Sequence, residues 1–241
     1  MTYPCWSDMP LLTVQKVSKN FGGVKAVNNL SLELKEGVIY GLIGPNGSGK
    51  TTLLNLINSI YRPDLGRIYL NGKDITGLPP HRVCRLGIGR TFQLLRIFPK
   101  LTALQNLLVI APTSKGVRAR TFELLERMNL THLKDEEAGN LSYGQQKLLD
   151  FARVLMLDPK LLLLDEPFGG VNPVFIEHLI EEIRHLNARE RKTFLIVEHN
   201  IKALMTLADY IFVMDYGEKI AEGQPHQVQN DERVLEAYFG R

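Results

Sequence analysis

The run Gly44-Pro45-Asn46-Gly47-Ser48-Gly49-Lys50-Thr51 has the form G-x-x-x-x-G-K-[ST], a spacing suited to phosphate. Its glycines let the backbone curl so that several N–H groups converge on phosphate oxygens. A helix that continues from Thr52 points its positive N-terminal end at the same place. Lys50 adds a full positive charge for β- and γ-phosphates, and the Thr51 hydroxyl is placed to hold Mg2+. Further on, the apolar run Leu161 to Leu164 ends in Asp165-Glu166. Asp165 suits Mg2+ held through water, because that ion dehydrates reluctantly. Glu166, one residue on, is close enough to a γ-phosphate to orient and polarise an attacking water. His199 follows the run Thr193 to Val197; it would contact the γ-phosphate and hold Glu166 in place. Gln93, after Ile88 to Thr91, would hydrogen-bond the water or the Mg2+ shell.

A second anion site opens at Leu141-Ser142-Tyr143-Gly144-Gln145-Gln146. Ser142 and Gln145 have capping-box spacing. Gly144 leaves room for a close approach at the helix N-terminus, itself a place for an anion. One P-loop already serves one ATP, so a second such helix start points to the ATP of another chain. Phe21, just before Gly22-Gly23, reads either as packing or as a platform for a nucleotide base.

These residues need a frame. The apolar run Val38 to Ile43 before the P-loop reads as a buried strand, and Thr52 to Ile57 after it as a helix. Leu11 to Val17 and Val24 to Leu34 alternate apolar and polar residues, as antiparallel strands with one solvated face do. Arg67 to Leu70 and the Asn71-Gly72 pair signal a strand and hairpin turn. Pro79-Pro80 opens a short helix. Helical zones follow over Thr102 to Ile110 and Thr121 to Met128, separated by a polar, basic and exposed loop from Pro112 to Arg120. A helix then runs from the Ser142 cap to the break before Asp158-Pro159. Pro173 begins an amphipathic helix with Ile176, Leu179, Ile180, Ile183 and Leu186 on one face. Thr193 to Val197 and Tyr210 to Met214 read as strands, Ile201 to Leu207 and Glu232 to Phe239 as helices. Strands alternating with helices predict an α/β fold with a mainly parallel sheet. Its C-terminal strand ends, Ile43, Thr91, Leu164 and Val197, would deliver the polar groups to one edge.

Composition sets wider bounds. The chain has 241 residues and 44% apolar content, enough for one large domain or a core with a small insertion. A formal charge of +3 is too mild to argue for nucleic acid. Cys5 and Cys84 have no metal or redox spacing, so a reducing compartment is the default. Residues 1–10 read as a loose tail and not as a signal peptide. No apolar run approaches a membrane span, so work at a membrane would need another chain.

The order of these motifs resembles the ABC-transporter ATPase subunits: the P-loop, Gln93, Leu141 to Gln145, Asp165-Glu166-Pro167, Gly170-Val171-Asn172 and His199. The resemblance covers nearly the whole chain. It implies a P-loop NTPase core, an antiparallel β subdomain and a small α-helical subdomain over roughly 94–158, all within one cassette from 11 to 241. It implies ATP with Mg2+, and a head-to-tail dimer with the same or a related subunit. Each ATP would lie between one P-loop and the partner's Ser142, Tyr143, Gly144 and Gln145, with Asn172 in the nucleotide-facing set and Phe21 stacked on adenine. Integral membrane permease subunits would hold the chain at the cytoplasmic face of the membrane, indirectly serving a solute-binding protein and without nucleic acid. Finer details are similar to the branched-chain amino acid importers: Gly89-Arg90-Thr91-Phe92-Gln93, Arg96-Ile97-Phe98, Gly170-Val171-Asn172-Pro173, Glu198-His199-Asn200 and Ala237-Tyr238-Phe239-Gly240. The segment Ile110 to Lys134 is shorter than is usual there, and lipopolysaccharide-export and urea or amide systems share much of the pattern. A soluble ABC ATPase acting on DNA or ribosomes would carry a coiled-coil insertion or two fused cassettes, and a P-loop kinase an acceptor-binding lid; this chain shows neither.

Overall fold

The computed structural model describes residues 9–112 and 115–239, with side chains as far as Ala237. Most of the expected tail, with Cys5, lies outside the described residues, as does Gly240 of the terminal run.

The chain opens with two antiparallel strands, Leu12–Phe21 (β1) and Val24–Leu34 (β2), then enters a second sheet as Ile39–Ile43 (β3). Lys50–Ile57 (α1) follows the P-loop, and Leu65–Leu70 (β4) and Lys73–Asp74 (β5) return to the first sheet. Asn71 and Gly72 turn between them at φ 49° and 73°, the paired positive φ values that favour Asn-Gly in a tight hairpin. Pro80–Arg85 (α2) leads to Ile88–Arg90 (β6). Ala103–Leu108 (α3), Val117–Arg127 (α4) and Tyr143–Leu155 (α5) pack together beside the core. Then strands and helices alternate: Leu161–Asp165 (β7), Pro173–Glu190 (α6), Thr193–Val197 (β8), Ile201–Leu207 (α7) and Tyr210–Asp215 (β9). Glu218–Gly223 (β10), Pro225–Gln229 (α8) and Glu232–Phe239 (α9) complete the described chain.

The first sheet has the order β2-β1-β4-β5 and is antiparallel. The second has the order β10-β9-β3-β8-β7-β6 and is parallel apart from β10. Its central strands are buried on both faces, which is why they read as unbroken apolar runs. Leu42, Leu163, Leu195 and Phe212 point to the side shared with α1 and the antiparallel sheet. Ile43, Leu164, Ile196 and Val213, one residue on, point to the side packed on α5, α6 and α7. Period-two alternation thus joins two cores through one sheet.

Two departures from expectation have physical causes. The basic stretch assigned to a loop from Pro112 to Arg120 is helical from Val117, because Gly116 caps α4 at φ 90° and Arg120 pairs with Glu123 one turn on. Polar and basic content described an exposed helix face there, with Arg127 bridging to Glu182 and Glu190 of α6. The sequence reading also passed over β10 and α8. The short antiparallel β10 depends on the Tyr216-Gly217 turn at φ 43° and 81° and on the edge of β9, a tertiary partner that no local pattern supplies.

Candidate functional site

The P-loop curls between β3 and α1 against two backbones. A Cβ on Gly44 would sit 2.0 Å from the Met214 carbonyl oxygen, and one on Gly49 2.2 Å from that of Ala26. Only glycine fits either place. Pro45, Asn46 and Gly47 form the open rim, Ser48 is buried beneath it, and Thr51 is exposed at the start of α1 beside half-buried Thr52. Lys50 is 5% exposed. Its ammonium donates to the Gly44 and Pro45 carbonyls at 2.7 and 2.8 Å. Burial holds its pKa below the ordinary lysine value, opposed by Glu166 and Asp165. This is a desolvated cation inside a ring of backbone dipoles, and a phosphate is the partner with charge enough to draw it away.

β7 delivers Asp165 and Glu166 to the same edge. Asp165 is 3% exposed. Its Oδ2 accepts from Arg90 at 3.1 Å, while Oδ1 is buried with no partner. Burial raises its pKa, with Arg90 acting against that. A buried carboxylate oxygen without a partner fits a hydrated divalent cation, so Asp165 and the Thr51 hydroxyl suit Mg2+. Glu166 sits at φ 52°, a strained backbone setting for a non-glycine residue and one that recurs at functional sites. Its Oε1 lies 3.1 Å from His199 Nε2 and its Oε2 accepts from Gln93 Nε2 at 3.1 Å. β6, β7 and β8 therefore bring Gln93, Glu166 and His199 together, as their strand ends require.

Ser142 caps α5. Its hydroxyl accepts from the Gln145 amide at 3.4 Å and the Gln145 side chain accepts from the Ser142 amide at 2.9 Å. Tyr143 is 46% exposed. A Cβ on Gly144 would meet the Phe175 ring of α6 at 3.3 Å. Gly144 lets α5 and α6 approach within the chain. Asn172 is the N-cap of α6, accepting from the Phe175 amide at 2.9 Å. Among the described residues no hydrogen bond joins Ser142, Tyr143, Gly144 or Gln145 to the P-loop. Phe21, 43% exposed, makes an edge-to-face pair with Tyr61 at 5.1 Å. The Lys19 ammonium also lies over the Phe21 ring, 5.5 Å from its centre.

Three residues were missed. Lys147 donates to the carbonyls of Glu166, Pro167 and Gly169 at 3.0, 3.3 and 2.6 Å, so α5 grips the segment that carries Glu166. Glu198 is buried and accepts from the amides of Phe168, His199 and Asn200, which sets the turns after β7 and β8. Arg90 is the buried partner of Asp165. Arg90 beside Gln93 and Glu198 beside His199 stood in motifs the sequence showed, but with no role attached to them.

A P-loop at the end of one parallel strand, with an acidic pair, a glutamine and a histidine at the ends of its neighbours, defines an ATP-binding cassette. The family model for ABC transporters matches residues 27–169, and the model for the branched-chain amino acid ATP-binding cassette transporter matches 218–241. The chain belongs to the ABC transporter family, as an ATP-hydrolysing subunit. It is 43% identical to the probable branched-chain amino acid transport ATP-binding protein LivG of Archaeoglobus fulgidus, over 96% of each chain. A crystal structure of a nucleotide-free ATP-binding cassette from an ABC transporter superposes with a TM-score of 0.89 at 35% identity, covering 97% of this chain and 100% of the other. A dimeric post-hydrolysis cassette bound to ADP and Pi has a TM-score of 0.80 at 28% identity, covering 89% and 98%.

Proposed function

We propose that this chain hydrolyses ATP to drive import of branched-chain amino acids, working as a dimer bound to integral membrane permeases and served by a solute-binding protein. The observation that carries the reaction is the placement of Glu166 between Gln93 and His199 at the P-loop edge of the sheet. The cargo rests on the similarity to branched-chain amino acid transport proteins and on the matching C-terminal segment. No helix among the described residues is long and apolar enough to cross a membrane, so attachment at the cytoplasmic face falls to the permeases. Residues 94–158 serve as the helical subdomain that meets them.

The P-loop amides and Lys50 hold the β- and γ-phosphates, and the exposed Phe21 ring stacks on the base. Thr51 and Asp165 would hold Mg2+, which would neutralise phosphate charge. Glu166 takes a proton from water as the new O–P bond forms; the bond to the β–γ bridging oxygen breaks and its electrons leave on ADP. His199 and Gln93 each hold one carboxylate oxygen, and a remaining lone pair accepts from the water. Ser142 to Gln145 present a helix start to the partner's ATP, with Asn172 beside it at the start of α6.

The test is reconstitution with the permease subunits and binding protein in liposomes. Leucine, isoleucine or valine on the binding protein should stimulate ATP hydrolysis and be taken up. Stimulation by urea or an amide alone would overturn the cargo. Absence of any ATP hydrolysis would overturn the reaction.

A further inference from the structure

Arg90 sits inside the site, yet no step above uses it. Its guanidinium and the Asp165 carboxylate are each 2% exposed and meet at 3.1 Å. Its other terminal nitrogen donates to Asn55 of α1 at 2.7 Å, and the Phe92 ring lies 4.9 Å from its centre. Arg90 Nε is buried without a partner. The group is thus held by the P-loop helix on one side and by the Gln93-bearing segment on the other, with no freedom to swing towards a phosphate. Removing an arginine from water is costly, and a buried pair of this kind adds little stability beyond what apolar side chains would give. Among the described residues Arg90 is the cation paired directly with Asp165. Asp165 stands among Arg90, Lys50 and Glu166, and the Lys50 ammonium is directed to its own loop. Without Arg90, a buried carboxylate would face incoming phosphates with no cation paired to it except a metal, Lys50 lying further off on its own loop.

We propose that Arg90 is a positioning residue that acts as a resident counter-cation for Asp165: it ties down Oδ2, leaves Oδ1 to the metal's water shell, and lets the site accept nucleotide before the metal arrives. This rests on the nucleotide site proposed above.

The experiment is calorimetric titration of the full chain with ADP, once with Mg2+ and once with EDTA. Arg90→Gln drops the charge and keeps a polar side chain in the same pocket. Its metal-free Kd should rise about tenfold while the Kd with Mg2+ moves by about twofold or less, since a like-charge repulsion is exposed only when no metal offsets it. Arg90→Lys keeps the charge and should keep the parent's ratio of the two constants. Arg90→Gln with Asp165→Asn removes both charges and should bind metal-free ADP at least as well as the parent; this pair also decides the matter if Arg90→Gln alone does not fold. Equal weakening with and without Mg2+ would reduce Arg90 to a structural brace and overturn the inference, as would a double variant weaker than the parent without metal. A parent chain that binds no ADP would instead overturn the nucleotide site itself.

Discussion

His199 Nε2 stands 3.1 Å from Glu166 Oε1. The two residues follow different strands, β8 and β7, whose register pairs Val197 with Asp165. Gln93 occupies the other carboxylate oxygen, so Glu166 is oriented from both sides although its side chain is partly exposed. Glu166→Gln should retain ATP binding and slow hydrolysis by about 10²–10⁴, the usual share of a general base. His199→Ala keeps the base and loses one support; it should slow hydrolysis by about 10², the cost of a small misplacement of a reacting group. Single-turnover phosphate release measures both. A Glu166→Gln variant that turns over at the parent rate would place the base elsewhere.

Lys50→Ala should abolish useful ATP binding. Each charge-assisted hydrogen bond to phosphate is worth about 1.5–3 kcal/mol, and an ammonium has donors for more than one. The substitution also leaves the Gly44 and Pro45 carbonyls without the donor they now share, so the P-loop itself should loosen. Equilibrium ATP titration is the check, with amide hydrogen exchange at residues 44–49 as the second readout. Unchanged affinity would remove Lys50 from the site.

The sequence made the P-loop, the acidic pair and the Ser142 cap legible because each rests on local spacing: a glycine pattern, a strand end, a capping box. The parallel core was legible for a related reason, since Leu161 to Leu164 has no polar face to show. Arg90 and Lys147 were not legible. An arginine before Thr91 and a lysine in the first turns of α5 look like solvated side chains until β7 and the Glu166–Gly169 segment are laid against them. The packing of Phe175 against Gly144 was not legible for the same reason, because Phe175 lies far along the chain.

Asp150 of α5 gives a prediction in pH. Burial pushes its pKa from 3.8 up to about 6, against the pull of Arg153 and Arg96. The folded state therefore keeps this proton longer than the unfolded chain does. The resulting stabilisation is complete below pH 3.8 and is lost as pH rises through about 6. Asp150→Asn has no such dependence. Between about pH 4 and pH 7 the parent should lose about 2 kcal/mol relative to the variant. Urea unfolding of both proteins across that range measures it. A difference that stays flat with pH would show that the carboxyl titrates at its ordinary value.

The two-chain site can be tested without disturbing the fold. Gly144→Asp is a poor probe, because the new side chain would strike Phe175 in its own chain and a lost dimer would not be distinguished from a lost helix contact. Ser142→Asp is better. Aspartate is as good an N-cap as serine, so the bond from the Gln145 amide should survive and stability should change by less than about 1 kcal/mol. The new carboxylate, however, would face the partner's ATP phosphates. Glu166→Gln with ATP should give a stable dimer by size-exclusion chromatography, its two-fold symmetry following from each P-loop meeting the other chain's α5 start. ADP lacks the γ-phosphate that reaches the second chain and should leave monomers. Adding Ser142→Asp to Glu166→Gln should also leave monomers, each still binding ATP through its own P-loop. A dimer that persists in that double variant would mean that Ser142 is a helix cap alone and that the phosphates never reach the partner's α5.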